Sequence, residues 1–70
     1  MIEREIIIDY TNHRGERTLR RIRPNEIWFG ATEWHKTEQW LLRAWDCDKD
    51  AVRDFAMAEI RTWLPAKLND

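Results

Sequence analysis

Seventy residues carry one cysteine, two glycines, two prolines and one tyrosine, and neither sign of charge prevails: twelve Lys and Arg stand against thirteen Asp and Glu. A lone cysteine cannot close an internal bridge, so a secreted-type disulfide framework is excluded and Cys47 is read as a reduced thiol. With only Gly15 and Gly30 available, no glycine-rich loop can cradle a phosphate. No apolar run approaches the roughly 20 residues that a membrane-spanning helix needs, and Met1-Ile2-Glu3-Arg4-Glu5 puts charges where a signal peptide carries its apolar run. A soluble, cytoplasmic chain with no membrane partner is the expectation. The length leaves no room for two domains, and a chain this short buries only about 60% of its unfolded surface, too little for an enclosed cavity of enzyme size.

Catalytic and metal signatures are missing as well. No Ser/His/Asp or Cys/His arrangement is visible, so no catalytic residue, cofactor or enzymatic activity is expected. Asp46, Asp48 and Asp50 occupy the first, third and fifth positions of a calcium loop, but the sixth is Ala51 where glycine is needed and the twelfth is Met57 where a bidentate Glu is needed. That stretch reads as a solvated turn. His13, His35 and Cys47 have no zinc-like spacing, and no metal site is expected.

What is present is a dense supply of large side chains. Five tryptophans and a 43% hydrophobic fraction argue for a folded chain rather than a disordered one. At least three of the aromatics are needed for packing, and Trp34, in an aperiodic loop, is read as the surface tryptophan. Nine of the twelve basic residues are arginine, and Arg14, Arg17, Arg20, Arg21 and Arg23 cluster with only Glu16 opposing them.

Glu5 to Tyr10, with three consecutive isoleucines, reads as a strand. Asn12 and Gly15 supply a turn, and Thr18 to Phe29 forms the second arm of a hairpin that must bend, bulge or lie at an edge at Pro24. Gly30 to Glu38 reads as a loop and Gln39 to Trp45 as a central strand, with Trp40, Leu42 and Ala44 on one face and Leu41, Arg43 and Trp45 on the other. The last third is open. Val52, Phe55, Ala56, Ile60 and Trp63 fall near helical spacing, which suggests a helix from about Asp50 to Leu64, whereas a strand over Ala51 to Met57 has weaker local support.

The arginine-rich second strand places guanidinium groups on both faces, so at least one must meet a partner. Two readings stand: an ion pair with Asp9, Glu5 or Asp54 on a neighbouring strand, or an anion site built from Arg20 and Arg53.

Tyr10, Asn12 and Gly15, then Arg20-x-Ile22-x-Pro24, then Trp40-Leu41-Leu42-x-Ala44-Trp45-Asp46, then Arg53-x-Phe55-x-Met57 and Ile60 follow one another in an order that resembles the WYL domain family, over about residues 5 to 63. The resemblance implies a small β-barrel related to Sm and SH3 folds, of the kind usually found behind a winged helix-turn-helix in bacterial transcription regulators and thought to bind nucleic acids or nucleotide-like ligands. It implies that Tyr10, Arg20 and Arg53 form the ligand face and that Trp40 and Leu42 belong to the core. Leu41 takes the place of the family's namesake tyrosine. The long loop Gly30 to Glu38, with its own Trp34, and the lack of a helix-turn-helix also depart from the family pattern.

The expected fold is therefore mainly β: one domain over residues 1–64, a five-stranded SH3/Sm-like barrel with one short helical turn before the last strand, and a tail over 65–70. A three-stranded sheet carrying a C-terminal helix is the competing architecture. The expected core is Ile6 or Ile7, Ile8, Ile22, Trp40, Leu42, Ala44, Phe55 and Ile60. The expected function is non-enzymatic ligand sensing, with single-stranded nucleic acid or a nucleotide-like anion meeting Tyr10, Arg20, Leu41, Arg43, Trp45 and Arg53, and with Tyr10 or Trp45 as the surface on which a base stacks. The alternative is a protein-protein interaction or oligomerisation module with exposed strand edges, its partner a second copy or a helix-turn-helix regulator.

Overall fold

In the computed structural model, residues 4–65 are described. The isoleucine run forms β1 (Ile6–Thr11), and Arg17–Gly30 forms β2. Asn12 organises the turn between them: its Oδ1 accepts the N–H groups of Arg14 and Glu16, each at 2.9 Å, and its carbonyl accepts the N–H of Gly15 at 2.9 Å. Gly15 sits at φ 82°, left-handed backbone that glycine enters without a Cβ penalty.

β2 pairs with β1 on one side and with β3 (Gln39–Asp46) on the other. Opposite β3 the register slips between Pro24 and Glu26, leaving Asn25 out of the ladder. Pro24 has no N–H to give, and the bulge absorbs that defect. It also exchanges the faces of the strand. Arg20, Ile22 and Pro24 lie on the same face as Ile27 and Phe29 further along, while Trp28 turns to the other face beside Leu41.

Asp46 ends β3 by holding the next turn: its Oδ1 accepts the N–H groups of Asp48 at 3.0 Å and Lys49 at 3.2 Å, and its carbonyl accepts that of Asp50 at 2.7 Å. The chain then runs through β4 (Ala51–Ala56), a single 3₁₀ turn (Met57–Glu59) and β5 (Ile60–Pro65). No α-helix forms between Asp50 and Leu64. Pairing of β4 with β3 brings Phe55 opposite Leu42, a long-range contact that the local helical spacing does not anticipate.

The sheet order is β4-β3-β2-β1-β5 and every paired neighbour is antiparallel. β4 and β5 are thus consecutive in the chain yet sit at opposite edges. In a flat sheet they would stand about 19 Å apart, whereas the step from Ala56 to Ile60 reaches at most about 14 Å. The sheet must coil. The expected barrel is not closed by a ladder, since β4 and β5 do not pair, but the Ala56 N–H donates to the Tyr10 Oη at 3.2 Å and ties one edge to the strand next to the other.

The concave face holds the core: Ile8, Tyr10, Ile22, Leu42, Ala44 and Phe55 are buried, with Ile6, Met57 and Ile60 packed against them. Tyr10 and Phe55 meet edge to face with ring centroids 4.9 Å apart. Trp40 departs from expectation. It has the parity expected of it, opposite Phe29 on the concave face, but it lies at the mouth of the sheet and is 56% exposed. Leu41, expected to be accessible, is fully buried beside its ladder partners Trp28 and Ala56. Pro65, expected in the tail, pairs with Ile6, and the rest of that tail lies outside the described residues.

Truncating Phe55 to Ala should cost about 3–5 kcal/mol, comparable to the stability of so small a domain, whereas Trp40→Ala forfeits mainly its edge contact with Phe29, about 1 kcal/mol. Urea denaturation of the two variants would separate them; equal losses would place Trp40 in the core after all.

Acid should loosen the β1–β2 hairpin. Hydrogen bonds from Arg23 and Arg21 hold the Glu5 carboxyl below its ordinary 4.5, and a hydrogen bond from Arg17 holds Asp9 below its ordinary 3.8. Depressed folded-state values contribute stability above the unfolded values, and that contribution is lost as the pH falls through the folded ones. Unfolding followed by circular dichroism should show stability declining below about pH 4.5, with Glu5→Gln reducing the slope there.

Candidate functional site

A groove of about 520 Å³ opens between the β1–β2 turn, the loop carrying Trp34 and the β4 edge. Its lining includes Tyr10, Arg14, Arg20, Trp34, Arg53 and Phe55. β4 is an edge strand, so Arg53 reaches the groove without crossing a neighbouring strand.

Arg20 projects from β2 on the concave side. It is not paired with Asp9, Glu5 or Asp54, which are taken by other arginines: Asp9 by Arg17, Glu5 by Arg21 and Arg23, and Asp54 by Arg43. Its partner is Asp46, with Arg20 Nη1 3.5 Å from Asp46 Oδ2 and the acid wholly shielded from solvent. That spacing is long for a charge-assisted hydrogen bond. Arg20 Nε and Asp46 Oδ2 are both buried without a hydrogen-bond partner.

Arg53 and Arg14 differ from Arg17, Arg21 and Arg23. Both are exposed, and neither has a carboxylate within ion-pairing distance among the described residues. Asp54 is the one acidic residue in the lining, and its carboxylate is engaged on the convex side, by Arg43 Nε at 3.2 Å and by Trp28 Nε1–H with an N···O distance of 2.9 Å. The groove is consequently electropositive in a chain of net charge −1.

Tyr10 contributes at depth. It is 5% exposed, burial pushes its phenol above the ordinary value, and the Ala56 N–H bonded to its oxygen offsets part of that rise. The ring is packed against Phe55, so it cannot stack on a base, and its place is the floor of the groove.

The remaining sequence-derived site residues are elsewhere. Leu41, Arg43 and Trp45 lie on the convex face, opposite Ala56, Asp54 and Val52 in the β4 ladder. Leu41 is sealed, and Arg43 is held between Glu26 and Asp54 with its guanidinium 5.0 Å from the Trp28 ring. Trp45 is 37% exposed but faces away from the groove. Alternation along β3 explains the separation, because these three share the parity opposite to the core residues Leu42 and Ala44.

The residues that sequence reasoning left out of the site are Arg14, Asp46, His13, Trp34 and His35. Thr32 Oγ1 accepts the N–H groups of Trp34 at 3.1 Å and His35 at 2.9 Å, and the Thr32 N–H donates to the His35 carbonyl at 2.8 Å. His35 Nε2 lies 3.1 Å from the carbonyl of Asp54. A carbonyl only accepts, so His35 carries a proton on Nε2 and fastens the loop to the β4 edge. Arg14 and Asp46 were legible only as a charge run and an acidic turn; their pairing state depends on the fold.

The WYL domain family model matches residues 1–64. No match was found among curated proteins or among solved structures. Nearly the whole chain is covered by that family match, and the five-stranded antiparallel sheet carries the family's residues in order along it: the chain belongs to the WYL domain family.

Proposed function

We propose that this chain, as a member of a family of regulatory, ligand-sensing modules rather than of a known enzyme family, senses an anionic ligand, a single-stranded nucleic acid or a nucleotide, in the groove lined by Arg14, Arg20 and Arg53. The observation that carries this reading is the division of the arginines. Arg17, Arg21, Arg23 and Arg43 are matched to carboxylates and Arg4 and Arg61 lie outside the groove, while Arg14 and Arg53, with no carboxylate within ion-pairing distance among the described residues, line the concave opening together with Arg20. Gathering like charges is unfavourable unless an anion joins them. Phosphate oxygens suit the planar guanidinium fork and would complete the set by charge-assisted hydrogen bonds.

No helix among the described residues is long and apolar enough to cross a membrane. The proposed setting is the bacterial cytoplasm, in a transcription regulator whose helix-turn-helix belongs to another segment or chain. The five antiparallel strands and the bond from the Ala56 N–H to Tyr10 support the small SH3/Sm-like barrel that the resemblance implies, although no ladder joins β4 to β5.

A second reading has its own support. Ile27, Phe29, Trp40 and Trp63 are each about half exposed, and the edges of β4 and β5 are free of ladder partners among the described residues. An interaction module would bury them, and analytical ultracentrifugation across a concentration series would reveal self-association.

The sensing reading is tested by titrating a single-stranded oligothymidylate and AMP at several salt concentrations. Binding should weaken as salt rises, with a log-log slope of about −0.7 for each phosphate contacted on the oligonucleotide. Arg53→Ala should weaken both probes and flatten the slope while leaving thermal unfolding unchanged, since Arg53 is exposed. Arg20→Ala is a different case: it leaves Asp46 buried without its cation and should cost about 3–5 kcal/mol of stability. No binding of either probe at low salt would overturn the sensing reading.

A further inference from the structure

A nucleotide has two recognition elements, and the arginines account for one of them. Neither aromatic expected to take the base can do so: Tyr10 is enclosed by the core and Trp45 is on the other face. The groove nevertheless holds a tryptophan. Trp34 is 64% exposed although its loop is fixed, by the two N–H groups that Thr32 Oγ1 accepts and by His35 bound to the β4 backbone. A large apolar ring held in water by an ordered loop forgoes the stabilisation of burial.

One side of the indole is already supported. The His13 ring lies against it, centroids 5.5 Å apart and planes inclined by 34°, and His13 is itself placed by the turn that Asn12 and Gly15 build. That separation is too small to admit a base between the two rings, so a base must stack on the indole surface left open. Trp34, Arg14 and Arg53 line one groove, so a single small ligand can meet ring and guanidinium together. Its volume, about 520 Å³, falls in the range of small-ligand sites.

We infer that Trp34, backed by His13, is the stacking platform of this groove, and that the ligand class is a planar heteroaromatic base joined to a phosphate, whether in a free nucleotide or in a single strand. This rests on the sensing reading above and adds to it the requirement for a base. The platform lies in the loop over 31–38, between β2 and β3, a stretch where the resemblance implies a departure from the family's pattern.

Three probes separate the elements: AMP, oligothymidylate, and ribose 5-phosphate, which keeps the phosphate and lacks the base. By calorimetric titration, Trp34→Ala should weaken AMP and oligothymidylate about tenfold and leave ribose 5-phosphate within about twofold. Trp34→Phe should restore most of the loss, and circular dichroism should show both variants folded. Comparing AMP with oligothymidylate tells a free nucleotide from a strand. Arg53→Ala should weaken all three probes. If Arg53→Ala weakens AMP but Trp34→Ala does not, or if Trp34→Ala weakens ribose 5-phosphate equally, the stacking inference falls while the sensing reading stands. If the unaltered protein binds neither AMP nor oligothymidylate, both fall.

Discussion

Three residues of 3₁₀ turn connect strands at opposite edges of a five-stranded sheet, and that short tether governs the rest of the molecule. A sheet with so short a link between its edges cannot be flat. Coiling makes one face concave and gives Ile8, Ile22, Leu42, Ala44 and Phe55 something to pack against, namely each other. A chain of this length has no second layer to cover a sheet, so curvature substitutes for one. The tether is still not short enough to force a ladder between β4 and β5. The bond from the Ala56 N–H to Tyr10 ties β4 to β1, and the groove lies beside it, between the β1–β2 turn and the β4 edge.

The same curvature sorts the charges. On the convex side, arginines and carboxylates interleave: Glu5 meets two arginines, Asp9 one, and Arg43 sits between Glu26 and Asp54 over the Trp28 ring. Such exposed pairs add little stability individually, but they consume the acids that would otherwise neutralise the groove. Leu41 completes this sealed side. Leu41, which the resemblance puts in the family's namesake position, lies beneath solvent reach between Trp28 and Ala56, with no hydroxyl to satisfy. Gly30 is part of the same arrangement, since the Trp28 ring occupies the space where a Cβ at position 30 would stand.

Strand positions were legible where local chemistry is decisive: the isoleucine run, Asn12 with Gly15, and the missing donor of Pro24. The segment from Ala51 was not legible in its own residues, because Val52, Phe55 and Ile60 satisfy a helical period by accident; the family resemblance implied strand, turn and strand there, and pairing with β3 bears that out. Trp40 shows the limit of alternation, which assigns a side chain to a face but says nothing of how deep along that face it lies. Tyr10, Arg20 and Arg53 do line one groove, yet the partner of Arg20 was beyond reach, since Asp46 comes opposite Ile22 only through the β2–β3 register. Trp34 was readable as exposed. Its place beside the arginines depends on a loop anchored by His35, a contact with no local sequence signal.

Arg20 and Asp46 remain an incompletely matched pair. A guanidinium has five N–H donors, and here it makes one long approach to a carboxylate whose other oxygen already serves two backbone amides. The acid fixes where the cation sits without saturating it. An arriving oxyanion would therefore meet a side chain already oriented and with hydrogen-bonding capacity left over, and would have no strong bond to displace. The ordering cost that a flexible surface arginine faces at the moment of association has in large part been met during folding, so a modest contact can translate into measurable affinity.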